Sequence, residues 1–128
     1  MQKNDAMKSY EKVLNVFADD LKQITNTDFV WSEKFGFLCV SSWSIYNDSA
    51  YDVIRIDSVE RLCEVLVDML VYDRLAVMEE ICLNEADIQA LYREWMQDHV
   101  SRLPEYQELL DSKFARSIRP VLCRSADI

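Results

Sequence analysis

Three acidic side chains at helical spacing are the first candidates for chemistry in this chain. Glu60, Glu64 and Asp68 lie four residues apart, so on a helix they form a ridge along one side. Like charges at this spacing repel by roughly 0.2–0.5 kcal/mol per pair, and a basic partner could offset that cost. A carboxylate metal site is disfavoured, because di-metal bundles use a Glu-x-x-His pairing that the sequence lacks. We interpret the ridge as a partner-binding surface, with a solvated polar face as the alternative.

The single histidine restricts the catalytic mechanisms open to the chain. His99 lies on an apolar helical stripe, one turn after Trp95 and Met96, which favours a buried, hydrogen-bonded ring over a catalytic base. Cys39 could act as a nucleophile, but the chain has no CxxC pair and its cysteines fall mostly among apolar neighbours. We therefore predict a protein that is not an enzyme, with no catalytic, cofactor-binding or metal-ligating residues.

Aromatic residues concentrate in one segment. Seven of the 14 aromatic side chains lie in residues 29–51. Such segments form sheet cores, stack nucleic-acid bases or anchor protein interfaces. Base stacking normally accompanies a positive groove, and Lys34 is the only basic residue in this segment. We predict that Trp31, Phe35 and Tyr46 are exposed anchors of a protein interface, with an ordinary sheet core as the alternative.

The net charge of −9 arises in one part of the chain. Residues 44–98 carry thirteen acidic and four basic side chains, whereas the flanking segments are nearly balanced. A concentrated negative field repels nucleic acid and attracts basic protein surfaces. We therefore expect a protein partner with a basic surface and no direct binding of nucleic acid. A modest basic end could balance the acidic middle within the fold or against a second copy: Lys113, Arg116, Arg119 and Arg124.

Composition limits the remaining classes of function. With Gly36 as its only glycine, the chain cannot build the glycine-rich loops that cradle phosphates or dinucleotides. The N-terminus is polar, and no segment approaches the ~20 apolar residues that a membrane helix needs. We expect a cytoplasmic protein that does not enter a membrane.

Periodicity predicts the order of the elements. A helical stripe over 5–25 precedes three short β-type segments with tight turns, which indicates an antiparallel three-stranded meander. Capping signals then predict three further helices. The predicted strands are 28–33, 37–46 and 51–57, with turns at Glu33–Gly36 and residues 47–50; the helices start at the Asp57–Glu60 capping box, at Asn84 and at Pro104.

The order α-β-β-β-α-α-α predicts an α+β fold in one compact domain over residues 1–128. Alternate residues of a strand point to opposite faces of its sheet, and in the second strand both sets are apolar. We therefore expect partial cover on both faces of the sheet. The helix after Asp57 is apolar around most of its circumference, so we expect it to be buried. The last helix should end near Ser117, because Pro120 follows, leaving a short flexible tail from about 120.

Together these features predict a small acidic protein-interaction module, of the inhibitor, immunity-protein or nucleic-acid-mimic kind, that binds a basic partner. The confined negative charge and the absence of catalytic motifs are the reasons. A structural or oligomerising subunit, such as a homodimer, is the alternative. A small enzyme that uses Cys39 or another thiol with His99 is a third possibility.

Overall fold

The computed structural model describes residues 3–45, 48–80 and 84–126. An N-terminal helix precedes a three-stranded antiparallel sheet, and helices follow, which confirms the α+β class and the predicted order. The elements are α1 (Lys3–Val16), α2 (Ala18–Leu21), β1 (Thr27–Ser32), β2 (Gly36–Ile45), β3 (Asp48–Ile56), α3 (Val59–Glu80), α4 (Glu85–Ser101), a 3₁₀ turn (Pro104–Tyr106) and α5 (Gln107–Ala126).

The chain divides after Leu62 into two compact units, and the single domain over residues 1–128 stays a prediction. In the first unit, the predicted helix over 5–25 is broken at Phe17, whose φ of −99° and ψ of 10° leave the α region. The apolar stripe nevertheless stays on one face. Its Tyr10, Val13 and Phe17 side chains are buried, as the three-four spacing predicts.

The sheet has the strand order β1-β2-β3, and one of its faces is buried. Phe37, Cys39 and Ile56 are each at most 3% exposed on this inner face, where the Tyr10 ring stacks on Phe37 with 4.8 Å between centroids. The predicted turn between β1 and β2 is confirmed. Gly36 ends it with a φ of +84°, a conformation that side chains with a Cβ rarely adopt.

The other face of the sheet, the outer face, differs from the prediction of partial cover. Val30 is 43% exposed, Val53 57% and Tyr51 66%, so the described residues leave much of this face open. Leu38 and Val40, between the two edge strands, are half-buried. Leu38 and Val40, which made both faces of β2 apolar in the sequence, therefore lie on the face that is open to solvent.

Helix α3 starts one residue later than the capping box predicted. Ser58, and not Asp57, is the cap, because its Oγ accepts a hydrogen bond from the backbone N–H of Arg61 at 3.1 Å. Both residue types cap helices well, so the pattern alone could not choose between neighbours. The buried helix itself is confirmed, since eight of its apolar residues are buried: Leu62, Cys63, Val65, Leu66, Val67, Leu70, Val71 and Leu75.

In the second unit, Asn84 caps α4 as predicted, since its Oδ1 accepts from the N–H of Asp87 at 2.9 Å. The buried Tyr92 hydroxyl donates to the carbonyl oxygen of Val71 at 2.7 Å, which joins α4 to α3. None of the helices within the described residues combines the length and the apolar character that crossing a bilayer would require.

The predicted end of the last helix near Ser117 is wrong. Helix α5 continues to Ala126, so Pro120 lies inside it and the predicted tail from about 120 is helical instead. An interior proline removes one hydrogen bond and costs about 3 kcal/mol, a penalty that packing can offset. The helix already carries a buried stripe of Leu110, Phe114 and Ile118 before the proline.

Candidate functional site

Two members of the predicted acidic ridge face a basic helix within the second unit. The Lys113 Nζ lies 3.3 Å from the Glu64 Oε2, and the lysine side chain is only 8% exposed, against 36% for the glutamate. The Ser117 hydroxyl donates to the Asp68 carboxylate. With Arg116, these four side chains line a shallow groove of about 310 Å³ between α3 and α5.

This arrangement changes the role that the ridge can have. Glu64 forms an ion pair with the nearly enclosed Lys113. Its first role is therefore structural, and binding a partner would be a second role. Asp68 is exposed but already accepts a hydrogen bond, and Glu60 is exposed on the first turn of α3. Lys113 therefore balances one acid of the ridge within the fold, which is one of the two roles considered for the basic end.

The three predicted aromatic anchors have different environments. Phe35 is 54% exposed at the β1–β2 turn, with the Lys34 Nζ 5.3 Å from its ring centroid. Trp31 is half-buried and pairs with Phe37 across the strands, on the buried side of the sheet. Tyr46 lies outside the described residues. Of the three, Phe35 alone is found as an exposed aromatic side chain.

The thiol and histidine named for enzyme chemistry are both enclosed. Cys39 is 2% exposed, and burial raises the pKa of its thiol, which disfavours the nucleophilic thiolate. His99 is 6% exposed, as predicted, and its Nδ1 lies 2.7 Å from the carbonyl oxygen of Trp95. That geometry assigns the Nδ1 proton to a backbone hydrogen bond one turn away. The Cys39 thiol is therefore not arranged as an activated nucleophile, and the His99 ring is enclosed.

The feature that sequence reasoning missed is an apolar patch on the outer face of the sheet. The register places Val30 opposite Leu38 and Val40 opposite Val53, so these side chains share one face across three strands. Tyr51 extends the patch along β3, two residues before Val53. We call this surface the outer sheet patch; it consists of Val30, Leu38, Val40, Tyr51 and Val53.

A signal for this patch was present in the alternation of β2. Leu38 and Val40 were recognised as apolar, but they were interpreted as covered by the rest of the chain. The strand pattern shows that a face is apolar and does not show what covers it. The same pattern continues in β3, where Tyr51 and Val53 alternate with the polar Asp52.

The sequence segment that carries the patch is acidic. Residues 27–57 carry five acidic and two basic side chains, a balance of −3. Asp28 lies on the outer face, since it pairs with Val40. Arg55 lies on the same face at its other end, since it pairs with Leu38. The outer face itself therefore carries one acidic and one basic side chain at its ends, within a segment whose sequence is net acidic.

Comparison with known proteins finds no matching family model, no similar curated protein and no similar solved structure.

Proposed function

We propose that this protein is a protein-interaction module that binds a partner with a basic surface through the outer sheet patch. The observation that carries the proposal is the exposure of large apolar side chains on one sheet face: Tyr51 at 66%, Val53 at 57% and Val30 at 43%. Contiguous exposed apolar surface is costly for a free protein, and it is typical of surfaces that contact another macromolecule.

The chemistry of the patch fits the core of a protein interface. Apolar and aromatic side chains without charges occupy the centre of such interfaces, and polar groups form the rim. Tyr51 is the anchor of the patch, because a tyrosine buries a large area with little loss of conformational entropy. The exposed Phe35 at the β1–β2 turn retains the anchor role predicted for it.

Charge selects the kind of partner. A second copy of this chain would bring together two molecules that each carry −9. Like charges across an interface cost affinity, whereas a basic surface would gain both attraction and a faster encounter. A basic partner is therefore favoured over the homodimer, which becomes one outcome of the test.

The test compares two double variants with the same chemistry at different places. Tyr51→Thr with Val53→Thr removes the exposed half of the patch, and threonine suits a strand. Tyr72→Thr with Val77→Thr is the matched control, because Tyr72 is 72% and Val77 51% exposed on α3. Each chain is used as bait in its native lysate at low and at high salt, and captured proteins are quantified by mass spectrometry.

A specific partner should be retained by the wild type and by the α3 control and reduced roughly ten-fold or more by the patch variant. Its recovery should fall at high salt, because the attraction between charged surfaces is screened. Equal recovery by all three baits would overturn the proposal, and salt-independent capture would refute its electrostatic part. If light scattering instead shows a dimer that only the patch variant dissociates, the occupant of the patch is a second copy.

A further inference from the structure

The hydrogen-bond pattern of the sheet follows from one contact and the strand register. The Ser42 N–H donates to the carbonyl oxygen of Asn26 at 2.8 Å, one step beyond the pair of Thr27 and Ser41. In an antiparallel ladder, bonded and non-bonded residue pairs alternate, and a residue directs its N–H and its C=O to the same side. The even-numbered residues of β2 therefore bond to β1, and its odd-numbered residues bond to β3.

The same alternation leaves a row of backbone groups on β3 without a neighbouring strand. Odd-numbered residues of β2 pair with even-numbered residues of β3, as Ser41 does with Asp52. The odd-numbered residues of β3 therefore direct their N–H and C=O groups away from β2. These residues are Tyr51, Val53 and Arg55, and β3 is the last strand of the sheet. In the part of the chain that the structure describes, no other segment bonds to these backbone groups.

The edge of β3 is more accessible than the edge of β1. Strand β3 has nine residues and β1 has six. The three outward-bonding residues of β3 are all exposed, whereas the corresponding residues of β1 are half-buried: Thr27, Phe29 and Trp31. Proteins usually protect such an edge with a lysine, a proline or a bulge, and β3 has none of these. An unprotected edge is a template on which another strand can pair.

We propose that an extended segment of the basic partner adds to the free edge of β3 as a fourth, antiparallel strand. This inference rests on the proposed function and gives the contact its backbone geometry. Main-chain hydrogen bonds supply affinity in this mode of recognition, and alternate side chains supply specificity. The side chains opposite Tyr51 and Val53 lie on the outer face and extend the outer sheet patch, so they are apolar.

The residue between those two apolar side chains lies on the other face, opposite Asp52. The Asp52 side chain is exposed, and it forms no ion pair with another described residue. The pair would be of the non-bonded type, in which opposite side chains come closest. Opposite charges facing each other across strands are favourable, so a lysine or arginine belongs at this position. The segment is therefore apolar-basic-apolar over these three positions.

A synthetic strand tests the backbone requirement. The full chain is titrated by NMR with the peptide acetyl-Thr-Thr-Val-Lys-Val-Thr-Lys-amide, which should bind saturably. Opposite Val53 and Tyr51, the two peptide valines direct their N–H groups to β3, so N-methylation of both should weaken binding roughly ten-fold or more. The N–H of the central lysine points away from β3. N-methylation of that lysine is the matched control and should leave the affinity unchanged.

Amide exchange in the same complex locates the added strand. The Tyr51 and Val53 amides should exchange with water roughly ten-fold more slowly in the saturated complex than in the free protein, because they gain acceptors. The Phe29 and Trp31 amides face the opposite edge of the sheet. They serve as the internal control, and their exchange should not change.

A charge reversal tests the residue opposite Asp52. A second peptide, with glutamate in place of the central lysine, should bind the wild type more weakly. Asp52→Lys should reverse this preference, because like charges then face each other in the original pair. Asp28→Lys changes an exposed acid on β1 in the same way and should leave the preference as it is in the wild type.

Strand addition is overturned if the peptide does not bind saturably, if both N-methylated peptides bind equally well, or if the Tyr51 and Val53 amides stay unprotected. Binding without amide protection that Tyr51→Thr with Val53→Thr abolishes would overturn the added strand alone, and the outer sheet patch would remain a binding surface. Protection of these amides in the free protein, together with a dimer in light scattering, would assign the edge to a second copy and overturn the proposal.

Discussion

At the scale of single residues, the Glu64–Lys113 pair shows how a charge pattern can mislead. Glu64 looks like a surface carboxylate when only its own helix is considered, but its partner lies 49 positions away on α5. The lysine is almost enclosed and the glutamate about one-third exposed, so the pair lies between a surface and a buried salt bridge. Its strength depends mainly on the lysine, because the lysine side chain is the more buried of the two.

Replacing Lys113 should therefore destabilise the protein measurably. We expect Lys113→Ala to lower the free energy of unfolding by about 2 kcal/mol, because Glu64 loses its counter-charge and a buried stem is removed. Lys113→Met keeps the stem and separates the charge term from the packing term. Urea unfolding followed by circular dichroism measures both.

The control for this prediction is an ion pair in the opposite setting. Lys22 pairs with Asp19 at 3.5 Å, but the two side chains are 78% and 96% exposed. Lys22→Ala should change the free energy of unfolding by no more than about 0.5 kcal/mol. Equal losses for Lys22→Ala and Lys113→Ala would show that the Glu64–Lys113 contact contributes nothing beyond a surface pair.

At the scale of elements, the start of α3 offers a test between two adjacent caps. Ser58→Ala should lower the free energy of unfolding by about 1 kcal/mol, because the N–H of Arg61 loses its acceptor. Asp57→Ala should cost only a few tenths of a kcal/mol, through the weak attraction between a carboxylate and the helix N-terminus. Thermal and urea unfolding of both variants measure these two losses. A larger loss for Asp57→Ala would favour the predicted capping box.

Local patterns predicted the elements of this fold better than they predicted its surfaces. The strands, the turn at Gly36 and the Asn84 cap depend on alternation, positive φ and capping chemistry, which neighbours in the sequence determine. The exposure of Val53 and the partner of Glu64 depend on contacts between distant segments. Helix α5 shows the same limit, because a proline signal was outweighed by the rest of the helix.

At the scale of the whole molecule, the charge of −9 remains after internal pairing. The count already includes Lys113, so its ion pair with Glu64 leaves the total charge unchanged. Glu85 and Asp87 are exposed in the first turn of α4, where their negative charges stabilise the N-terminus of the helix. The negative charge is therefore spread more widely than the ridge of Glu60, Glu64 and Asp68.

Whether the two units unfold together is also a property of the whole molecule. Helix α3 is continuous from Val59 to Glu80, so the division after Leu62 falls inside its first turn. A helix is cooperative, so the first turn of α3 is expected to unfold together with the rest of the helix. The prediction of a single domain over residues 1–128 therefore requires one shared unfolding transition.

We expect urea unfolding to give one midpoint for probes in both units. A variant with Trp43→Phe and Trp95→Phe keeps Trp31, in the first unit, as the only tryptophan, and one with Trp31→Phe and Trp43→Phe keeps Trp95 in the second. Adding Lys113→Ala, which alters only the second unit, should shift both midpoints by the same amount because the units share one transition. Separate midpoints, or a shift seen only by Trp95, would mean that the chain folds as two domains.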